Sequence, residues 1–460
     1  MSRRHVPAVI GLVAGALVTV PVPAAHAAMV QVRCAVPDLV AAINAANASP
    51  GPDTLRLADK CTYTLTAPDP VHPGNGLPVI TGEITIEGHG ATIRRDGRDR
   101  KVPKFRILFV AGTGNLTLTR TTVSGGFATD CPAFPDVPGI ACGGGISNAG
   151  TMKVTHSRFT DNTSRSDLYA QGGGIDNPGT GSVSETEVSG NRVVYSGTDV
   201  GGVAAGAAIA NDGPLTVTRS RLTGNTATVT KAKESFAFGA GIISFAETTV
   251  EDTTVSGNRS FAPSGFARGA VANGIPEPGR LTVTGGAITR NTSDAPHGFA
   301  QGGGIANNAL MTVTGVEISR NRAVAHGGDA RGGGVRLGPV GALDLTDSRI
   351  TDNTVDAPNG TAQGAGLDNP DGGALTARRN KVLRNTATAK GGTAQGGGLY
   401  TAGGPDGTTT LERNTITHNR AGDGGGIFKA SGTLTLNGDV VRDNRPNNCS
   451  PAGAVPGCVG

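Results

Sequence analysis

The chain of 460 residues has no tryptophan, four tyrosines and only 3% aromatic residues. A compact globule of this length ordinarily buries more aromatic surface, so a conventional globular core is disfavoured. Charge is also sparse, at 17%, and nearly balanced. Setting aside Arg3 and Arg4 in the leader, 38 basic residues stand against 36 acidic ones. That balance excludes a polyanion-binding basic protein, and no nucleic-acid partner is expected. Beyond the leader, no apolar run is long enough to span a bilayer, and no terminal series of alternating strands points to an outer-membrane barrel. P-loop, dinucleotide and zinc signatures are missing. No stretch of the repeat described below has a 3.6-residue period, which disfavours a strand-plus-helix horseshoe.

What is present begins with an export signal. "MSRRHVPAVIGLVAGALVTVPVPAAHAA" joins a basic head to an apolar run and a small-x-small site at Ala25, His26 and Ala27. Residues 1–27 read as a signal peptide cleaved after Ala27, and the product as secreted, extracellular or held at a cell surface. The six cysteines fit that setting. They fall as neighbours in sequence, Cys34 with Cys61, Cys131 with Cys142 and Cys449 with Cys458. Local pairing is the simplest of the possible connectivities.

Glycine is abundant, at 73 residues, without the strict three-residue period of collagen. It clusters in near-copies of one phrase: "QGGGIDN" at 171, "QGGGIAN" at 301, "RGGGVRL" at 331, "QGAGLDN" at 363, "QGGGLYT" at 395 and "DGGGIFK" at 423. The phrase keeps step with a series of asparagines: Asn162, Asn191, Asn225, Asn258, Asn291, Asn321, Asn353, Asn385, Asn419 and Asn444. Their spacings lie between 25 and 34 residues. Three residues before each stands an apolar side chain, from Phe159 and Val188 to Ile416 and Val441. Within "LTVT" at 215 apolar residues alternate, the period of a strand.

One coil of about 30 residues thus holds a strand ("LTVT"), a corner, a second strand ("RLTGN"), a variable stretch, and a third strand ending "FAQGGGI". Such a unit buries its apolar face only against its neighbours. Parallel stacking about 4.8 Å apart turns each repeated position into a column, with valines forming the core and asparagines an amide ladder. The fold expected is all-β, a parallel β-helix of about twelve coils and roughly 55–60 Å. "PDLVAAINAANAS", from Pro37, fits a short helix with Leu39, Ile43 and Ala46 on one face, capping the open end. The expected organisation is an N-terminal cap over 28–78, the β-helix over 79–445 and a disulfide loop over 446–460.

These residues resemble the right-handed parallel β-helix proteins of the pectin-lyase-like superfamily. "GGGI" and "FTDN" are similar to the GGA[ILV] and FxxN repeats of chlamydial polymorphic outer membrane proteins, and the region after Cys34 to the CSLREA-type start of secreted bacterial β-helix proteins. Only Phe159-Thr160-Asp161-Asn162 matches FxxN literally; elsewhere Ile, Val or Leu replaces Phe. The resemblance implies the right-handed coil and a secreted or surface setting. It also implies that, were the chain an enzyme, it would cleave acidic polysaccharide as a lyase or glycosidase, with Ca²⁺ possible for a lyase. No cofactor is otherwise expected.

Three groups are candidates for chemistry. The residue preceding each ladder asparagine places Asp352 between Arg320 and Arg384, with His418 next. This column suits a uronate chain; the simpler reading is a row of solvated ion pairs. In "GLDNPDG", Asp368 and Asp371, with Asp344 or Asp347, have the chemistry for Ca²⁺, and an Asx-type turn explains them more simply, as it does Asp176. In "RRDGRDRK", Arg94, Arg95 and Arg98 offer an anionic-glycan contact on what reads as a solvated loop. The function expected is a monomeric, non-catalytic extracellular binding protein directed at polysaccharide. A lyase or glycosidase and a structural envelope protein are the alternatives.

Overall fold

Each turn of the repeat returns the chain to the same place one strand spacing further on, and the strands therefore pair only with their equivalents in neighbouring turns. In the computed structural model, which describes residues 28–231, 233–274, 279–370, 372–403 and 407–458, every ladder is parallel. The result is a β-solenoid of about twelve turns built from five sheets of 14, 13, 9, 9 and 12 strands. The leader and Asp371 lie outside the described residues.

One coil shows the plan. Leu310–Thr314 belongs to the first sheet, Glu317–Ser319 to the second and Arg322–Val324 to the third. Ala330–Arg331 belongs to the fourth and Val335–Leu337 to the fifth. The coil thus carries five short strands instead of three. The variable stretch is itself a strand, and the glycine run divides "FAQGGGI" between the fourth sheet and the fifth. The first, second and fifth sheets enclose the main core of Leu, Ile, Val and Phe, including Val313, Ile318 and Val335. The third and fourth fold out as a lobe with a separate core, mostly alanine.

The glycine run turns the chain from the lobe back to the main core. Its first member is left-handed in every such run, with φ of 59° at Gly172, 61° at Gly302 and 58° at Gly364. A Cβ on Gly302 would also stand 2.1 Å from the Ile305 carbonyl oxygen. The second position is less strict, and Ala207, Ala240 and Ala365 occupy it.

Polar ladders close the corners. The backbone N–H and side-chain Nδ2 of Asn162 both donate to Asn191 Oδ1 at 3.0 Å, and the same double bond recurs coil by coil to Asn419 on Asn444. Asn444 in turn donates to Asn448 Oδ1 and ends the series. A second ladder of Ser157, Thr186, Ser220 and Thr253 breaks at Gly286 and Val316, resumes at Ser348, Asn380 and Asn414, and ends on Asp439. A third runs Asn148, Asn177, Asn211, stops at Ser244, resumes at Asn273 and Asn307, and stops again at Leu337. The buried Oδ1 atoms of Asn148, Asn273 and Asn369 have no partner. Val110, Ser244 and Leu337 hold the equivalent positions one coil earlier, so no amide precedes them to donate.

Helix α1, Val36–Ala48, covers the N-terminal end of the core with Leu39, Ala42, Ile43 and Ala46. Asn47 fixes it, donating to the Val79 carbonyl and accepting from the Thr81 and Gly82 amides. The first sheet already begins at Ala28–Val32, paired with Asp53–Leu57, so stacking starts beneath this helix. The disulfides are Cys34–Cys61, Cys131–Cys142 and Cys449–Cys458. The last closes a loop that seats Val455 on the C-terminal end of the core. No helix among the described residues is long and apolar enough to cross a membrane.

Candidate functional site

In a three-residue strand such as Phe299–Gln301, the middle residue, Ala300, faces the lobe, and the outer two face away. In the fifth sheet the middle residue faces away from the main core. These outward columns meet where the fourth sheet turns into the fifth, and they form a seam along the solenoid. From the fourth sheet come Gln171, Ala205, Phe238, Arg268, Gln301, Arg331 and Gln363. From the fifth come Ser147, Asp176, Ala210, Ile243, Ala272, Ala306, Arg336 and Asp368.

The N-terminal part of the seam is polar and enclosed. Asp176 is fully buried; its oxygens accept from Ser147 Oγ at 2.9 Å and Gln171 Nε2 at 2.8 Å. The same Gln171 nitrogen donates to Asp212 at 3.1 Å. Burial first, and the Asp212 charge second, push Asp176 up to about 7 against the bonds from Ser147 and Gln171 and the Arg106 charge. Burial raises Asp212 to about 6. The Tyr169 phenol is raised as well, by burial and then by Asp212 and Asp176. The buried Arg106 braces this end: it donates to Asp130 Oδ1 at 2.7 Å and Asn75 Oδ1 at 2.9 Å. Burial lowers its pKa, and Asp130 opposes the shift. Among the described residues, the one tight grouping of Cys, His and carboxylate atoms is Cys131, Cys142 and Asp176. Both sulfurs are committed to a disulfide, so no thiolate is available as a metal ligand.

The middle of the seam is apolar and open. Phe236, Phe266 and Phe299 stack in successive coils with ring centroids 5.1 and 5.0 Å apart and planes within 14° of parallel. Phe299 is 42% exposed. The Arg268 guanidinium lies over Phe236 and Phe266 at 5.6 and 5.3 Å, and its Nε donates to Gln301 at 2.9 Å. Burial and the nearby Arg336 charge lower Arg268 to about 10. Beside it opens a cavity of about 320 Å³ lined by Phe238, Ile243, Phe245, Ala272, Ala306 and Pro339, with Arg268, Asn273 and Asn308 as its polar members.

Further along, Asp368 is buried against Arg336, with Nε 3.7 Å from Oδ2. Asp176 and Asp368 therefore sit within strands, Ile175–Asn177 and Leu367–Asn369, and not in the turns expected for them. Asp344 and Asp347 do not join Asp368: they pair with Arg378 and Arg379.

The Asp352 column lies outside the seam. Arg320 and Asp352 line one shallow hollow, Arg384 and His418 the next. Asp352 takes two hydrogen bonds from Arg384, at 2.8 and 2.9 Å, and both side chains are substantially exposed. All four candidates are left-handed, with φ of 55° to 59°, like Gly190 and Gly224 in the same column. The backbone bend before each ladder asparagine dictates this position. Arg94 and Arg95 end a strand, Thr92–Arg95, and not the solvated loop expected for them; Arg95 is half-buried, donates to the Gly125 carbonyl and faces the Phe105 and Phe127 rings. Burial lowers its pKa, with Asp96 opposing. Arg94 donates to Thr64 Oγ1, while Arg98 is exposed.

The seam was not singled out from sequence, although a signal existed. Phe236, Phe266 and Phe299 keep the repeat's step in a chain with only 12 phenylalanines. Asp176, Arg336 and Asp368 put charge where most coils carry a small or apolar residue. No protein-family model and no curated protein matches the chain.

Proposed function

We propose that the protein is a secreted, monomeric, non-catalytic β-helix protein that holds a polysaccharide chain along the seam, and that it belongs with the pectin-lyase-like β-helix proteins its repeats resemble. The supporting observation is the row of Phe236, Phe266 and Phe299. Three stacked rings form an apolar strip with the coil's own repeat, and Arg268 and its partner Gln301 border it with hydrogen-bonding groups. A sugar chain has this dual character, with apolar C–H faces and a rim of hydroxyls. Three local disulfides fit an oxidising compartment. Affinity electrophoresis through gels containing neutral, acidic and N-acetylated polysaccharides tests the reading. Retardation by at least one glycan, relieved in a Phe236→Ala/Phe266→Ala double variant, is expected. Unretarded migration in every gel overturns it and leaves the structural envelope role.

A lyase or glycosidase is the second reading. One arrangement favours it: Asp176 and Asp212 are carboxyls of raised pKa joined through Gln171. Release of reducing ends or unsaturated uronates, with and without Ca²⁺, and its loss in Asp212→Asn, would establish that activity. The exposed Asp352 column, with Arg320, Arg384 and His418, and the basic loop at Arg98 remain secondary contact surfaces for an acidic glycan.

A further inference from the structure

The cavity beside the phenylalanine strip has a composition that a plain hydroxylated sugar does not need. Its walls are the side chains of Ile243, Phe245, Ala272 and Ala306. Burying hydroxyls against such walls costs free energy, whereas burying a methyl group gains it. Yet the cavity is not purely apolar, because Arg268 and Asn308 stand at its lining. Among the described residues the Asn308 side-chain amide makes no hydrogen bond, and no carboxylate lies within salt-bridge range of Arg268, whose charge faces two rings instead. A ligand group that matches has a methyl at one end and a planar donor–acceptor pair at the other. An amide placed against Asn308 can both donate and accept. The volume, about 320 Å³, admits such a group together with part of the ring that carries it.

Building on the glycan-binding reading, we infer that the seam selects glycans of 2-acetamido sugars, with the acetamide methyl in the cavity between Ala272 and Ala306 and its amide on Asn308 and Arg268. The sugar ring then lies toward Phe266 and Phe299. Alanine at 272 and 306 leaves the room, because a larger side chain at either position would fill the space the methyl takes.

The test compares two probes that differ chiefly in the acetamide: the β-1,4-linked tetramer of N-acetylglucosamine and cellotetraose, by titration calorimetry on the intact mature chain. Binding of the acetylated tetramer about tenfold or more tighter is expected. Asn308→Ala, at a partly exposed position, should reduce that preference severalfold. Ala306→Leu, checked for native circular dichroism, should abolish it. Equal affinity for the two tetramers overturns the acetamide inference and leaves the glycan seam standing. So does binding of neither tetramer by a protein that still binds another glycan in a Phe236- and Phe266-dependent way. Binding of no glycan at all overturns both readings.

Discussion

The molecule has two cores, built by different rules. The main core, between the first, second and fifth sheets, is filled by large side chains such as Phe159, Leu222 and Ile350. The lobe core, between the third and fourth sheets, is filled by Ala170, Ala204, Ala237, Ala267, Ala300 and their successors. The lobe is thin enough for a serine to reach across it. Ser164 Oγ of the third sheet donates to the Ala141 carbonyl of the fourth at 2.8 Å. The main core gains stability from apolar area; the lobe gains little per residue, and its small side chains serve to bring two sheets together. Its product is geometric, because the lobe's outer face is one wall of the seam.

Changes in opposite directions should therefore damage the two cores. The largest loss is expected for Phe159→Ala, where a wholly buried ring is deleted from the main core. A fall of about 3–5 kcal/mol is expected in urea unfolding. Along the lobe's alanine column there is little to delete, and enlargement is the harmful change: Ala300→Leu should cost about 1–3 kcal/mol. A tolerated leucine would mean that the lobe is looser than its serine bridges indicate.

A third prediction concerns the seam between the cores. Asp176, near 7 in the folded protein, holds its proton over a range in which the unfolded chain, at about 3.9, has released it. Its contribution to stability is thus present at low pH and is lost as pH rises from about 4 through 7. Asp176→Asn should raise the melting temperature at about pH 8 and leave it nearly unchanged near pH 3.5, as measured by scanning calorimetry. An equal shift at both pH values would break the assignment. The smallest effect belongs to the outer surface. Asp352→Ala removes an exposed ion pair with Arg384 and should change stability by less than about 1 kcal/mol. A larger loss would give that column a structural role.

How much was legible beforehand differs between the same regions. The ladder asparagines, the apolar residues three positions before them and the residues re-entering the core after each glycine run could be read directly. Each contacts its own equivalent one repeat away, so spacing alone specifies the contact. Helix α1 was legible from Leu39, Ile43 and Ala46 because a cap needs one apolar face. Asp368 was not legible. Its sequence, with a following asparagine and proline, suits a turn, and only the neighbouring coil supplies Arg336 and makes a buried strand position tenable. The Asp352 column was visible as a column, but its left-handed backbone was not, since Asp, Arg, His and Gly share no obvious pattern until φ is known.

The sequence by itself determined the coil: its period, its stacking register, its core columns and its ladders. All of these follow from like meeting like at a fixed interval. Only the tertiary structure decided that the variable stretch would leave the main coil and return as a lobe, and hence that Phe238 and Arg268 of the fourth sheet would line one cavity with Ile243, Ala272 and Ala306 of the fifth. Those are unlike positions within and between coils, brought together by a left-handed glycine bend whose direction no spacing records.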